Sequence, residues 1–169
     1  MLQTATLLFF PALMVFAAFS DLLTMTISNR VSIALAILFI GLAVASGLTV
    51  AEITWHFASG ALILALGFGL FALGWIGGGD AKLAAATAIW LGFDHLGEYA
   101  LVASLLGGVL ALLILALRLW PILSTLMNHA WIKRLHDPGT GIPYGIALAS
   151  AGLLLYPESA IWLAAAASH

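Results

Sequence analysis

The chain has no cysteine and very little charge. Of its 169 residues only 7% are charged, against 64% hydrophobic, whereas charged residues usually make up about a quarter of a soluble domain. The lack of cysteine excludes disulfides, thiolate zinc sites, haem thioether links and thiol catalysis together. A formal charge of −2 excludes a basic nucleic-acid surface. What remains is apolar: the mean hydropathy is +1.18, the signature of an integral membrane protein. At about 20 residues per spanning helix the length accommodates about five or six passes, with no room for a soluble domain, so residues 1–169 read as a single membrane domain.

The apolar runs give candidate spans near Leu2–Ser20, Val31–Val50, Phe57–Ile76, Ala81–Gly97, Tyr99–Leu117 and Ile142–Tyr156. They are long, continuous and rich in Leu and Ala, which disfavours a β-barrel with its alternating strands of about ten residues. The expected fold is an all-α polytopic bundle of about six transmembrane helices. The fourth span is the weakest, because the strongly apolar stretch Ala81–Gly92 rises only about 18 Å against a hydrocarbon core of about 30 Å. It must run past Asp94 or start inside the membrane. Gly60, Gly67, Gly69, Gly107 and Gly108, with Ala84, Ala85, Ala86 and Ala88, are expected to let helix backbones approach closely. The six Trp residues fall mostly near span ends, as an interfacial belt requires.

The five Lys and Arg residues all fall in odd-numbered connections: Arg30 in the first, Lys82 at the third, and Arg118, Lys133 and Arg134 around the fifth. By the positive-inside rule those connections face the cytoplasm and both termini lie outside. The first span has no preceding Lys or Arg and no clear cleavage site, so it is expected to stay as a working helix. Between Leu117 and Ile142, the apolar residues Ile122, Leu123, Leu126, Met127, Ala130 and Trp131 recur at helical spacing. Thr125, Asn128, His129 and Lys133 occupy the other face, which predicts an amphipathic helix on the cytoplasmic membrane surface.

Ionisable groups at membrane depth are costly, so each marks a candidate site. Glu52, Asp94, Glu98 and Glu158 fall at outer span ends and Asp137 in the polar loop, where solvation is cheap. Asp21 and Asp80 differ: one follows the first apolar run, the other follows Gly77-Gly78-Gly79 between two spans. Both are expected at cytoplasmic helix ends, where they can face each other. The glycines would end the third helix, open backbone angles closed to other residues and admit another chain to the carboxylate. Two carboxyls sharing one proton titrate as a unit. The charged one can deprotonate an attacking water while the protonated one hydrogen-bonds the scissile carbonyl, with no metal or cofactor. The plain alternative is a set of interfacial ion pairs, Asp21 with Arg30 and Asp80 with Lys82. The histidines form no HExxH pattern or close pair, and no metal site is expected.

Gly77-Gly78-Gly79-Asp80-Ala81-Lys82-Leu83 matches the GxGDxK form of the GxGD motif of intramembrane aspartyl proteases. With Asp21 at the end of the first span, Ile27-Ser28-Asn29 ahead of the second and Gly141-Ile142-Pro143-Tyr144-Gly145 at the last, the chain resembles the type IV prepilin peptidase family. The closest resemblance is to the short peptidase-only form serving Flp-type (tight-adherence) pili. It implies a bacterial inner-membrane endopeptidase that cuts the basic leader from prepilins or pseudopilins, whose apolar helix lies in the lipid bilayer, at the cytoplasmic face. Asp21 and Asp80 would be catalytic, Gly77 and Gly79 the motif glycines, and Lys82 a neighbour tuning the acid or holding the turn. Leader contacts would fall to Thr24–Arg30 and Ile122–Leu135. Ser28 stands where the family often has Pro. The long members' Cys-rich segment is absent, so no N-methylation is expected. The competing reading is a small proton-coupled transporter or channel using Asp21 and Asp80, although the inverted repeat and mid-membrane helix breaks that would favour it are not visible.

Overall fold

The computed structural model describes residues 2–121 and 128–167, with side chains from residue 8 onward. Eight α-helices and no strand occur among the described residues. Helices α1 (Leu2–Thr24), α2 (Asn29–Ala45), α3 (Val50–Ala72), α4 (Gly78–Leu91) and α5 (Leu96–Leu119) are followed by the short α6 (Ala130–His136). Helix α7 (Gly145–Leu155), a 3₁₀ turn at Tyr156–Glu158 and α8 (Ala160–Ala167) make up the last span. Val50–Ala72, Leu96–Leu119 and Gly145–Ala167 are each long and apolar enough to cross a membrane, and Leu8–Thr24 and Asn29–Ala45 are shorter apolar helices. The protein is an all-α membrane protein.

Helix ends follow local chemistry. Thr49 and Glu52 form a capping box at the start of α3: Thr49 N–H donates to Glu52 Oε2 at 2.7 Å and Glu52 N–H to Thr49 Oγ1 at 3.3 Å. Helix α3 closes in a Schellman turn, in which Trp75 N–H reaches Leu70 O at 3.0 Å and Gly74 N–H reaches Phe71 O at 2.9 Å. Gly74 takes φ +74° there, a conformation that costs a side-chain-bearing residue about 1 kcal/mol or more.

The boundaries differ from the sequence reading at three places. Helix α1 runs on through Thr24, so Asp21 lies inside its last turn rather than after it; Leu22 and Leu23 continue the helix, and the exit falls at Met25, with φ +56°. The last span continues beyond Tyr156, because Pro157 interrupts the helical hydrogen bonding for one turn without ending the apolar run. Helix α4 does not extend past Asp94; it stops at Leu91, and its 14 residues rise about 21 Å.

A helix that short is accommodated because its neighbours surround it. Helix α4 packs against α2, α3 and α7, and Leu83, Ala85, Ala86, Thr87, Ala88 and Trp90 are all buried. Small residues set the separation. A Cβ built on Gly67 would lie 2.9 Å from Ala81 Cβ, and one on Gly60 would collide with Ile89, so the α3 backbone lies directly on α4. Ser59 Oγ–H, fully buried, donates to Ala88 O at 2.8 Å. Gly69 and Gly108 do not share this role, since open space surrounds both.

Trp90 departs from the belt expected of tryptophan. It is fully buried among Phe10, Phe39 and Tyr156, and its Nε1–H donates to Leu35 O at 3.1 Å. Because α4 is central and short, a residue near its end still lies in the core. Trp55, Trp75 and Trp120 are exposed, as a belt requires. The surface-helix residues Ile122, Leu123, Thr125, Leu126 and Met127 lie outside the described residues; α6 is the part of that segment seen as helix, with Leu135 buried and Lys133 exposed.

Trp90→Ala should lower stability by about 3–5 kcal/mol, and Gly67→Leu should be comparably harmful through overpacking. Gly69→Leu, facing open space, should be near neutral. Thermal unfolding in detergent would show this ranking; equal melting of all three variants would contradict the central position of α4.

Candidate active site

The site is built by three connections meeting at one end of the bundle. A cavity of about 300 Å³ is lined by Asp21 and Met25–Ile27 from the end of α1 and the turn after it, Asn29 from α2, and Gly77–Asp80 and Lys82 from the start of α4. Gly145, at the start of α7, borders it through Asp21. The first, third and fifth connections therefore share an end, as the charge distribution requires.

Asp21 is 5% exposed. Its Oδ2 accepts a 2.7 Å hydrogen bond from Gly145 N–H, one of the α7 amides with no intrahelical partner. No side chain fits at position 145: a Cβ there would sit 2.7 Å from Asp21 Oδ2 and 2.7 Å from Ile27 Cδ1. The sequence reading treated Pro143-Tyr144-Gly145 as a recurrent motif without a task. The structure gives it one, holding the first aspartate. The spacing of 124 residues left no local signal for that contact.

Asp80 occupies the third position of α4, and its carboxylate accepts from the backbone N–H of Gly77, the residue that caps the helix. This is half of a capping box, in a place where the helix dipole favours negative charge. Asp21 and Asp80 line the same cavity. The sequence brings them from α1 and α4, 59 positions apart, and the fold brings them to one cavity.

The glycine run works differently from the expectation. Gly77 has φ −73° and ψ 145°, open to any residue, and Gly78 and Gly79 already belong to α4; the turn that needs a positive φ is at Gly74. What the run provides is clearance. A Cβ on Gly79 would meet Ile27 Cβ at 3.2 Å, and one on Gly77 would meet Asp80 Oδ2 at 2.9 Å. The glycines thus let the first connection and the Asp80 carboxylate close in on the α4 terminus.

Neither proposed ion pair forms. Among the described residues the side chains within ion-pair distance are His95 with Glu98 at 3.2 Å and with Glu158 at 3.4 Å, away from the cavity. Lys82 Nζ instead donates to Asn29 Oδ1 at 2.8 Å, tying α4 to α2 beside the acids. Asn29 was quoted in the sequence only as part of a motif, and this contact across the cavity gives it a place in the site. Ser28, where the resemblance leads to an expectation of Pro, caps α2 by accepting from Arg30 N–H at 3.3 Å. Ser20 Oγ–H donates to Thr26 O at 2.9 Å, so the first connection is braced by side chains rather than by a ring. Arg118 and Arg134 are engaged with backbone carbonyls, Arg118 with Leu135, Thr140 and Gly141 and Arg134 with Leu23, which fastens α6 and the fifth connection near the site.

At the other end, His95, Glu98 and Glu158 bring three ligand-capable atoms within 4.8 Å of one another. The sequence did not group them, because the 3₁₀ turn that carries Glu158 is formed by Pro157 in the last span.

No curated protein and no solved structure matches the chain. The profile of the type IV leader peptidase family does, over residues 8–112, a stretch that contains both Asp21 and Asp80. With that match covering more than half of its length, the chain belongs to the type IV leader peptidase family and is a membrane protease.

Proposed function

We propose that the protein is an aspartyl endopeptidase that removes the basic leader from prepilins or pseudopilins at the cytoplasmic face of the bacterial inner membrane, with Asp21 and Asp80 as its catalytic pair. The observation that carries this reading is their convergence: two carboxylates from different helices line one cavity, each held by a backbone amide. One carboxyl, ionised, takes a proton from water as the water oxygen bonds to the scissile carbonyl carbon. The other, protonated, donates to the carbonyl oxygen. Collapse of the tetrahedral species breaks the C–N bond, and the proton taken from water passes to the departing amine. Gly77 and Gly79 support the site by giving clearance, and Lys82 by fixing α4 to Asn29.

The cytoplasmic placement rests on the positive-inside argument, since Arg30, Lys82, Arg118, Lys133 and Arg134 all belong to connections at the cavity end. The Flp-type substrate class rests on the sequence resemblance, and the lack of cysteine supports a peptidase without the methyltransferase activity of the long members.

Asp21→Asn and Asp80→Asn should each abolish cleavage of a co-expressed prepilin while the protein stays folded in the membrane; wild-type-like processing by either would refute the catalytic pair. Lys82→Ala takes a cation from the cavity wall and so favours the protonated carboxyls. Activity should fall, and the pH–rate profile should move to higher pH, where one carboxyl is again ionised; an unmoved profile would leave Lys82 with a purely structural task. Reporter fusions should place Lys133 inside and the C-terminus outside, and the inverse pattern would put the acids on the wrong face for this substrate.

A further inference from the structure

A second cavity, of about 590 Å³, lies between α3 and α5. Helix α5 packs on α6 and α7 rather than on α3, and α3 packs on α4, so the two long helices stand apart. Helix α4 contributes Ala81 and Ala84 to the floor of the gap, and α7 contributes Ala147 and Leu148. Helix α3 presents Ile63, Leu66, Gly67 and Leu70, and α5 presents Ala100, Ala103, Ser104 and Gly107. Each set follows i, i+3, i+4, i+7, the spacing of a face that receives another helix. From Tyr99 to Gly108 the groove extends about 13 Å, or about two and a half helical turns.

Two observations say what belongs there. Asp80 lines both this groove and the acid cavity, so a chain lying in the groove continues directly to the carboxylates. One small residue on α5 is also not used up by the fold: Gly60 and Gly67 of α3 are filled by α4 and Gly107 by Tyr144 and Ala147, whereas a Cβ on Gly108 would meet nothing within 4 Å. The remaining lining is apolar except for Ser104 and two tyrosines, which suits an apolar helix.

We propose that the groove between α3 and α5 seats the first turns of the substrate's apolar helix, with Ala100, Ala103, Ser104 and Gly108 as its contact face. The peptide bond preceding that helix then lies at Asp80. The proposal rests on the peptidase reading above and adds where the helix binds. It makes helix packing, alongside the residues at the cut, a determinant of which proteins are processed: small residues on α5 admit a helix that larger ones would exclude.

Because the chain has no cysteine, single cysteines can report on the groove without background. In an Asp21→Asn chain, Ser104→Cys should form a disulfide with a prepilin carrying one cysteine in the first two turns of its apolar helix, under mild oxidation in membranes. Val109→Cys, on the opposite, exposed side of α5, should not. Absence of the crosslink at both positions, as for a groove filled by lipid alone, or equal crosslinking at both, would overturn the proposal. In the otherwise wild-type chain, Gly108→Leu should raise the KM for the intact prepilin at least about tenfold more than for a short peptide containing the leader and cut but no apolar helix. Val109→Leu should change neither. An equal effect of Gly108→Leu on both substrates would also overturn it. Failure of the catalytic reading is separately visible, as cleavage by the Asp21→Asn chain whatever the crosslinks show.

Discussion

The hydrogen bond from Gly145 N–H to Asp21 is the contact on which the site depends. A carboxylate this deeply buried needs donors to replace lost water, and leaving it unpaired would cost several kcal/mol. Asp21 obtains its donor from the first turn of α7, whose leading amides have no intrahelical partners. The bond is possible because position 145 has no side chain, and it joins the first span to the last. Asp80 is held in the same manner by the terminus of α4. The two acids are thus positioned by backbone rather than by cationic side chains, which leaves them free of the direct ion pairs that would neutralise them.

The short central helix makes this geometry available. Because α4 is surrounded by α2, α3 and α7, its N-terminus is fixed by packing on several sides, and glycines on α3 allow the close contact that fixes its depth. The same shortness explains why Trp90 is buried and why the turn after α4 meets the His56 ring, where a Cβ on Gly92 would lie 2.9 Å from His56 Cε1. Helix α5 is arranged differently. It is anchored by α7 and by Arg118 but stands away from α3, leaving an apolar gap that ends at one of the acids. Rigidity around α4 and space beside α5 thus meet at Asp80, which lines both cavities.

Membrane character, helix class, the clustering of basic residues at one end and the identity of the two unusual aspartates are all legible in the sequence. Each follows from something local: composition, a run length, the sign of a charge or a carboxylate beside a glycine run. The GxGD stretch was visible as a motif, but its glycines were assigned to backbone freedom, whereas Gly77 is in an ordinary extended conformation and the run serves close approach. The plain alternative, ion pairs of Asp21 with Arg30 and Asp80 with Lys82, drew on proximity in the chain, yet Lys82 turns to Asn29 instead.

Sequence alone therefore determined that this is a helical membrane protein with two candidate acids, because hydrophobic run length and charge placement act residue by residue against the bilayer. Tertiary structure decided that those acids share a cavity, that Gly145 holds one of them, and that a groove leads from the other along α5. Those are meetings of residues far apart in the chain, fixed by how closely helices can pack, and no local pattern records them.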